Sequence, residues 1–197
     1  MTRIVTLTAC LAALAAGPVF AQDTDGAPQT TSDTELPLGQ AATPQVPQIY
    51  ERETHGDFSV RCARVPDTAV EPCQLFQRLT DANGNPTADV NFFDVAGDGQ
   101  VQGGATVVTP LQTLLTAEVT LSVDGGVERR YPFAFCDAQG CYSRMGFTAA
   151  EMAEFRAGNS VTISVRPALA PDQLVVMNLS LSGFTAGMQA ITVAEAQ

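Results

Sequence analysis

The stretch "AEVTLSVDGGVERRYPFAFCDAQGCYSR", residues 117–144, reverses direction twice. Its first part reads as a hairpin around Asp124-Gly125-Gly126, where glycine supplies positive φ at no steric cost. Its second part sets Cys136 and Cys141 around the four-residue loop "DAQG". Gly140 lets the chain turn back just before the second cysteine, which brings two facing Cβ atoms within bonding reach. Consecutive short strands joined by tight turns pair antiparallel.

The same grammar extends outward. Upstream, "DFSVRCARV" (57–65) alternates, with Phe58, Val60 and Cys62 on one face and Ser59, Arg61 and Ala63 on the other. "CQLFQRLTD" (73–81) follows a Pro-containing loop, "DANGNP" (81–86) turns at Asn83-Gly84, "ADVNFFDV" (88–95) returns, and a Gly-rich loop covers 97–104. Downstream come "CYSRMGF", "SVTISVRPAL" and "DQLVVMNLSLSGF". That makes about eight short strands with no repeated βαβ unit, which predicts an all-β, antiparallel β-sandwich of immunoglobulin-like size.

One helix interrupts the pattern, near residues 149–157. In "FTAAEMAEFRAG" Thr148 is an N-cap, Glu151 completes a capping box, Phe147 and Met152 suit a hydrophobic staple, and Gly158 fits C′. Met152 and Phe155, three apart, would cover one face or end of the sheet.

The N-terminus has a different character. Arg3 precedes an apolar run from Ile4 to Ala16, then the small-residue site Val19-Phe20-Ala21. This is the three-part pattern of a secretory signal peptide over residues 1–21, with cleavage between Ala21 and Gln22. "LTAC" (7–10) has the outline of a lipobox, but only nine residues precede Cys10 and the apolar run continues past it. Cys10 therefore reads as part of the discarded segment. No run is long and apolar enough for a transmembrane segment. Residues 22–48 hold four acidic residues, no base and no apolar period, and read as a disordered acidic tether. The sandwich domain is expected over 49–192, with a short tail at 193–197.

The formal net charge is −11, and all ten basic residues are Arg. A field of this sign repels phosphate backbones, which argues against nucleic-acid binding. Export would place Cys62, Cys73, Cys136 and Cys141 in an oxidising compartment. Four cysteines allow three pairings; the local one, Cys62–Cys73 with Cys136–Cys141, puts a bridge across each of two strand connections. A thioredoxin-type site needs two residues between its cysteines and a helix N-terminus, and zinc needs compact thiolates or histidines. The chain has one histidine, His55.

Other chemistry is sparse. "DANGNPTADVNF" begins like a calcium loop at Asp81, Asn83 and Asn85, but Pro86 stands where glycine is needed and Phe92 where a bidentate Glu is needed. "GDGQVQGG" lacks dinucleotide-fingerprint spacing. A Ser-His-Asp or Cys-His set would have to use His55, which sits beside Gly56 as a turn residue would. The pairs Glu51/Glu53 and Glu151/Glu154 occupy exposed-looking edges. The expectation is no catalytic, cofactor-binding or metal-ligating residue and no cofactor.

"HGDFSVRC", a second cysteine before "QLFQRLTDANGNP", "LSVDGG…RYPFAFCDAQGC", a capped helix and the closing "LSLSGFTAGMQAI" together resemble the invasion-associated locus B (IalB) family of alphaproteobacteria. The resemblance spans roughly residues 50–192. Phe58 follows "GD" where that family often carries Trp, and the acidic tether is an addition. The resemblance implies an exported, disulfide-bonded, β-rich envelope protein, with no accepted catalytic residues to carry over. The expected function is a non-enzymatic periplasmic or secreted protein, free or associated with the outer membrane. It would bind an envelope or extracellular protein or surface component through loops or a sheet edge. The alternatives are a structural or stress-response envelope component and, further off, a periplasmic hydrolase.

Overall fold

The structure, a computed structural model, describes residues 47–66, 71–80, 84–97 and 99–195. The segment read as a signal peptide, with Cys10, Ala21 and Gln22, the part of the segment read as a tether up to residue 46, and Asp81 to Asn83 lie outside the described residues.

Among the described residues, eleven strands form two sheets in which every neighbouring pair is antiparallel. In chain order they are β1 (Gln48–His55), β2 (Phe58–Arg64), β3 (Cys73–Thr80), β4 (Pro86–Asp94), β5 (Gly103–Thr109), β6 (Val119–Val123), β7 (Arg129–Tyr131), β8 (Phe133–Cys136), β9 (Cys141–Phe147), β10 (Ser160–Val165) and β11 (Val175–Ser180). The large sheet runs β1-β2-β3-β4-β5-β9-β8 and the small one β11-β10-β6-β7. This is the all-β sandwich.

Alternation builds the core. Phe58, Val60 and Cys62 of β2, Ala88, Val90 and Phe92 of β4, and Met145 and Phe147 of β9 are buried from the large sheet. Val161, Ile163, Met177 and Leu179 face them from the small sheet. Helices α1 (Ala149–Ala157) and α2 (Phe184–Glu195) insert Phe155 and Phe184 among the same rings. Phe92 has its centroid 5.7 Å from Phe155 and 5.0 Å from Phe184, both edge-on, the geometry aromatic quadrupoles favour.

The hairpin at Asp124-Gly125-Gly126 is present, but its second arm serves both sheets. Residues 129–131 pair with β6; after Pro132 the chain crosses to the large sheet and residues 133–136 pair with β9. Two further strands and one helix were not anticipated. β1 is an exposed edge strand with a bulge between Glu51 and Glu53, which erases its alternation. β5 begins inside the segment read as a Gly-rich loop. A Cβ on Gly103 would stand 2.7 Å from Met152 Sδ, and one on Gly104 2.5 Å from the Phe93 ring. Those glycines are there for close packing within a strand, not for turning. α2 continues to Glu195, three residues into the segment read as a tail.

The capping box of α1 forms as expected: the Glu151 amide donates to Thr148 Oγ1, and the Thr148 amide donates to Glu151 Oε2 at 2.7 Å. Gly158 is a correction. It lies at φ −80°, in extended backbone, not in a left-handed C′ position. A Cβ there would meet Val123 Cγ1 at 2.7 Å, so the need for glycine is spatial.

Candidate functional site

His55 ends β1. Its Nε2 lies 3.3 Å from Glu53 Oε2, near enough for a charge contact but not aligned for a hydrogen bond. Arg52 pairs with Glu53 through Nη2 at 2.9 Å and holds its carboxyl below the usual range. Among the described residues, four surface hollows are lined without His55.

The other carboxylate pair has a structural duty. Arg129 Nε meets Glu151 Oε1 at 2.7 Å and Arg129 Nη1 meets Glu154 Oε2 at 3.0 Å, which ties β7 to α1. Among the described residues no group of three or more His, Cys, Asp or Glu is arranged to hold a metal.

The structure brings the four cysteines together in the local pairing. Cys62 and Cys73 face each other on β2 and β3, with sulfurs 2.01 Å apart; Cys136 and Cys141 face each other on β8 and β9, with sulfurs 2.13 Å apart. Bonds of this kind persist in oxidising compartments. No helix among the described residues is long and apolar enough to cross a membrane.

What remains is surface, and the sheet edges differ. β1 carries a bulge and the charges of Glu51, Arg52 and Glu53; β7 and β8 have three and four residues. Charge, bulges and shortness all deter pairing with another chain. β11 has none of these. Its sequence VVMNLS is uncharged, its ladder with β10 is regular, and Leu174 and Val176 are each 52% exposed beside it. Among the described residues its outer edge is engaged only at Ser180, by the Gln77 side chain.

The described geometry can be set against known proteins. The family profile described as Invasion associated locus B (IalB) protein matches residues 58–192. The chain belongs to this family. It is 29% identical over 141 residues to the Invasion protein B homolog of Brucella abortus (strain 2308), covering 71% of this chain and 78% of that protein. The figures are the same for the homolog from Brucella abortus biovar 1 (strain 9-941). The crystal structure of invasion associated protein B from Bartonella henselae shares the fold, with TM-score 0.62 and 20% identity over 74% of this chain and 98% of that one.

Two stretches that carry the family resemblance meet in space. "HGDF" and "LSGF" cross backbone to backbone: the Asp57 amide donates to Ser182 O at 3.1 Å, and Gly56 and Gly183 both have positive φ. The Phe58 and Phe184 rings that follow lie 5.9 Å apart. A Cβ on Gly187 would strike Leu75 Cδ1 at 2.3 Å. These motif residues build the joint between α2 and the large sheet, so their chemistry is packing.

Proposed function

We propose that this chain is an exported, non-enzymatic envelope protein that binds another envelope or extracellular protein by strand addition at β11. The observation that carries this reading is the uncharged, unbulged β11 edge, which carries exposed Val176 and follows exposed Leu174. An added strand would gain main-chain hydrogen bonds along the edge and a contact for its alternate side chains with Val176. Support for export comes from the N-terminal leader pattern and the two cystine pairs. Support for a binding rather than catalytic role comes from the structural engagement of Glu151 and Glu154, and from a family description that names an association with invasion and no reaction.

The test is cross-linking of the mature protein in envelope extract, with Val176→Lys as the comparison. The exposed position tolerates the change, while a lysine on the edge opposes pairing. One saturable protein partner, retained by the native chain and lost with Val176→Lys, is the expected result. Co-fractionation with membrane or peptidoglycan and no saturable partner would replace this reading with a structural envelope component.

A further inference from the structure

We infer that leucines projecting from the two segments that lead into β6 and β11 form a docking surface for a lipid bilayer with zwitterionic headgroups. This surface adjoins the β11 edge but relies on other side chains, Leu111 and Leu169 above all.

The two segments are built as a pair. Residues 110–118 lead from β5 to β6, and residues 166–174 lead from β10 to β11. Thr113 bridges Pro167 in antiparallel register. The Leu114 amide donates to Arg166 O and the Ala168 amide to Gln112 O, both at 2.7 Å. One residue further out along each segment stand Leu111 and Leu169, 57% and 84% exposed. Leu115 and Leu174 are exposed as well. Leu115 follows the bonded Leu114, and Leu174 precedes Val175, which pairs with Val165 beside Arg166. Every exposed leucine of the described residues is on this pair of segments. Single apolar side chains scattered over a surface are ordinary, whereas a cluster rimmed by polar residues marks a contact.

Shape favours a fluid medium over a folded partner. Leu169 projects from its turn with solvent on nearly every side, and acyl chains close around such a side chain without needing a matching groove. The backbone also suits a medium poor in water. Besides the two bonds that cross the pair, five amides of these segments donate within their own turns. Pro110, Pro167 and Pro171 have no N–H to satisfy. An amide already bonded does not have to be stripped of water without a partner, which is costly in hydrocarbon. Among the described residues no helix is long and apolar enough to cross a membrane, so the contact is peripheral.

Charge selects the headgroup. The segments carry Glu118, Arg166 and Asp172. The Arg166 guanidinium is turned back onto Pro171 O at 3.0 Å. Around them stand Arg130 across from Thr120, Asp137 in the turn between β8 and β9, and Arg78 and Asp89, paired with each other near Pro110. Among the described residues that is three positive groups (Arg78, Arg130, Arg166) against four negative ones (Asp89, Glu118, Asp137, Asp172). The near balance offers no basic patch to anionic lipid, and the net charge of −11 opposes it. Zwitterionic headgroups raise no such barrier, which leaves apolar transfer as the driving force.

The test is flotation of the mature chain with phosphatidylcholine vesicles, with and without added phosphatidylglycerol. The expected result is saturable binding that salt changes little and phosphatidylglycerol does not strengthen. Leu111→Ser/Leu169→Ser should lower partitioning about tenfold or more, as two leucines withdrawn from an apolar phase require. Native and variant chains share one N-terminus, so the difference reads the leucines alone. The chain has no Trp, which makes Leu169→Trp a single fluorescent reporter. Its emission should shift to the blue on vesicles and be quenched by brominated acyl chains. Val127→Trp, exposed in the turn at the far end of β6, should show neither change. The proposal is overturned by absence of vesicle binding, by equal binding of the serine variant, by no blue shift for Leu169→Trp, or by binding that requires phosphatidylglycerol. Loss of the cross-linked envelope protein in the serine variant, with vesicles unbound by the native chain, would overturn it too and give the leucines to that protein. The β11 reading is judged separately, by Val176→Lys.

Discussion

A Cβ on Gly183 would lie 2.1 Å from the carbonyl oxygen of His55. The turn before α2 is thus pressed against the turn after β1, with no room for a side chain between the two backbones. Gly183 also has φ 88°, where L-residues are strained. Gly183→Ala is expected to lower stability by about 2–4 kcal/mol, read by urea denaturation, because strain and overlap add. Gly84 separates the two causes. Its φ is 84°, but a Cβ there meets nothing within 4 Å. Gly84→Asn should cost under about 1 kcal/mol, since Asn tolerates this region.

Gln77 stitches the two sheets together. Its Nε2 donates to Asp57 O and Ser180 O, both at 3.1 Å, and its Oε1 accepts from the Ser180 amide at 2.9 Å. The carboxamide therefore acts as one rung of backbone at the end of β11. Gln77→Leu should cost about 2–4 kcal/mol, because buried polar groups lose their partners. Gln77→Glu should be worse at neutral pH, with a carboxylate facing two carbonyl oxygens. Burial and those oxygens raise its folded pKa above the unfolded value, so stability should recover as pH falls and the acid becomes a donor. Thermal denaturation from pH 7 down to pH 4 distinguishes the two variants.

Asp124 predicts an acid-sensitive joint. It sits at φ 45° and its carboxylate accepts from the Asn159 and Ser160 amides, each at 2.9 Å. These bonds hold its pKa below the ordinary 3.8. A depressed folded pKa contributes stability that is present above the unfolded value and lost as pH falls through the folded one. Asp124→Asn should therefore lower the melting temperature at pH 7, and the gap from the native chain should close below about pH 4. A gap that persists unchanged to pH 2 would contradict this.

The strands that alternate cleanly, β2 above all, were legible because burial on one face writes a period of two into the sequence. So was α1, whose start is spelled by Thr148 and Glu151. β5 was not legible, because Gly103 and Gly104 imitate a loop and only Met152 and Phe93, distant in sequence, explain them. α2 carried a signal that was passed over: Phe184, Met188 and Ile191 recur at helical spacing and are all buried. The candidate edge was out of reach for a related reason: strand order is a global property, and β11 becomes an edge only when all other pairings are known.

The cystine pairs give the last prediction. Each ties strand neighbours, but their settings differ. Cys62 and Cys73 are both 1% exposed within the core, whereas Cys136 is exposed and only Cys141 is buried. Their sequence separations are 11 and 5 residues. Loop entropy alone then assigns about 3 kcal/mol to the first and about 2 kcal/mol to the second. Removing the first pair also leaves a gap where two buried sulfurs packed, which adds a cavity cost. Cys62→Ala/Cys73→Ala should therefore destabilise clearly more than Cys136→Ala/Cys141→Ala, measured by urea midpoint under non-reducing conditions. In both variants mass spectrometry should find two hydrogens missing relative to the fully reduced chain, against four in the native protein, because two bridges form. Free thiols in native material would contradict the pairing. Equal loss in the two variants would contradict both the loop-entropy difference and a packing contribution from the buried sulfurs.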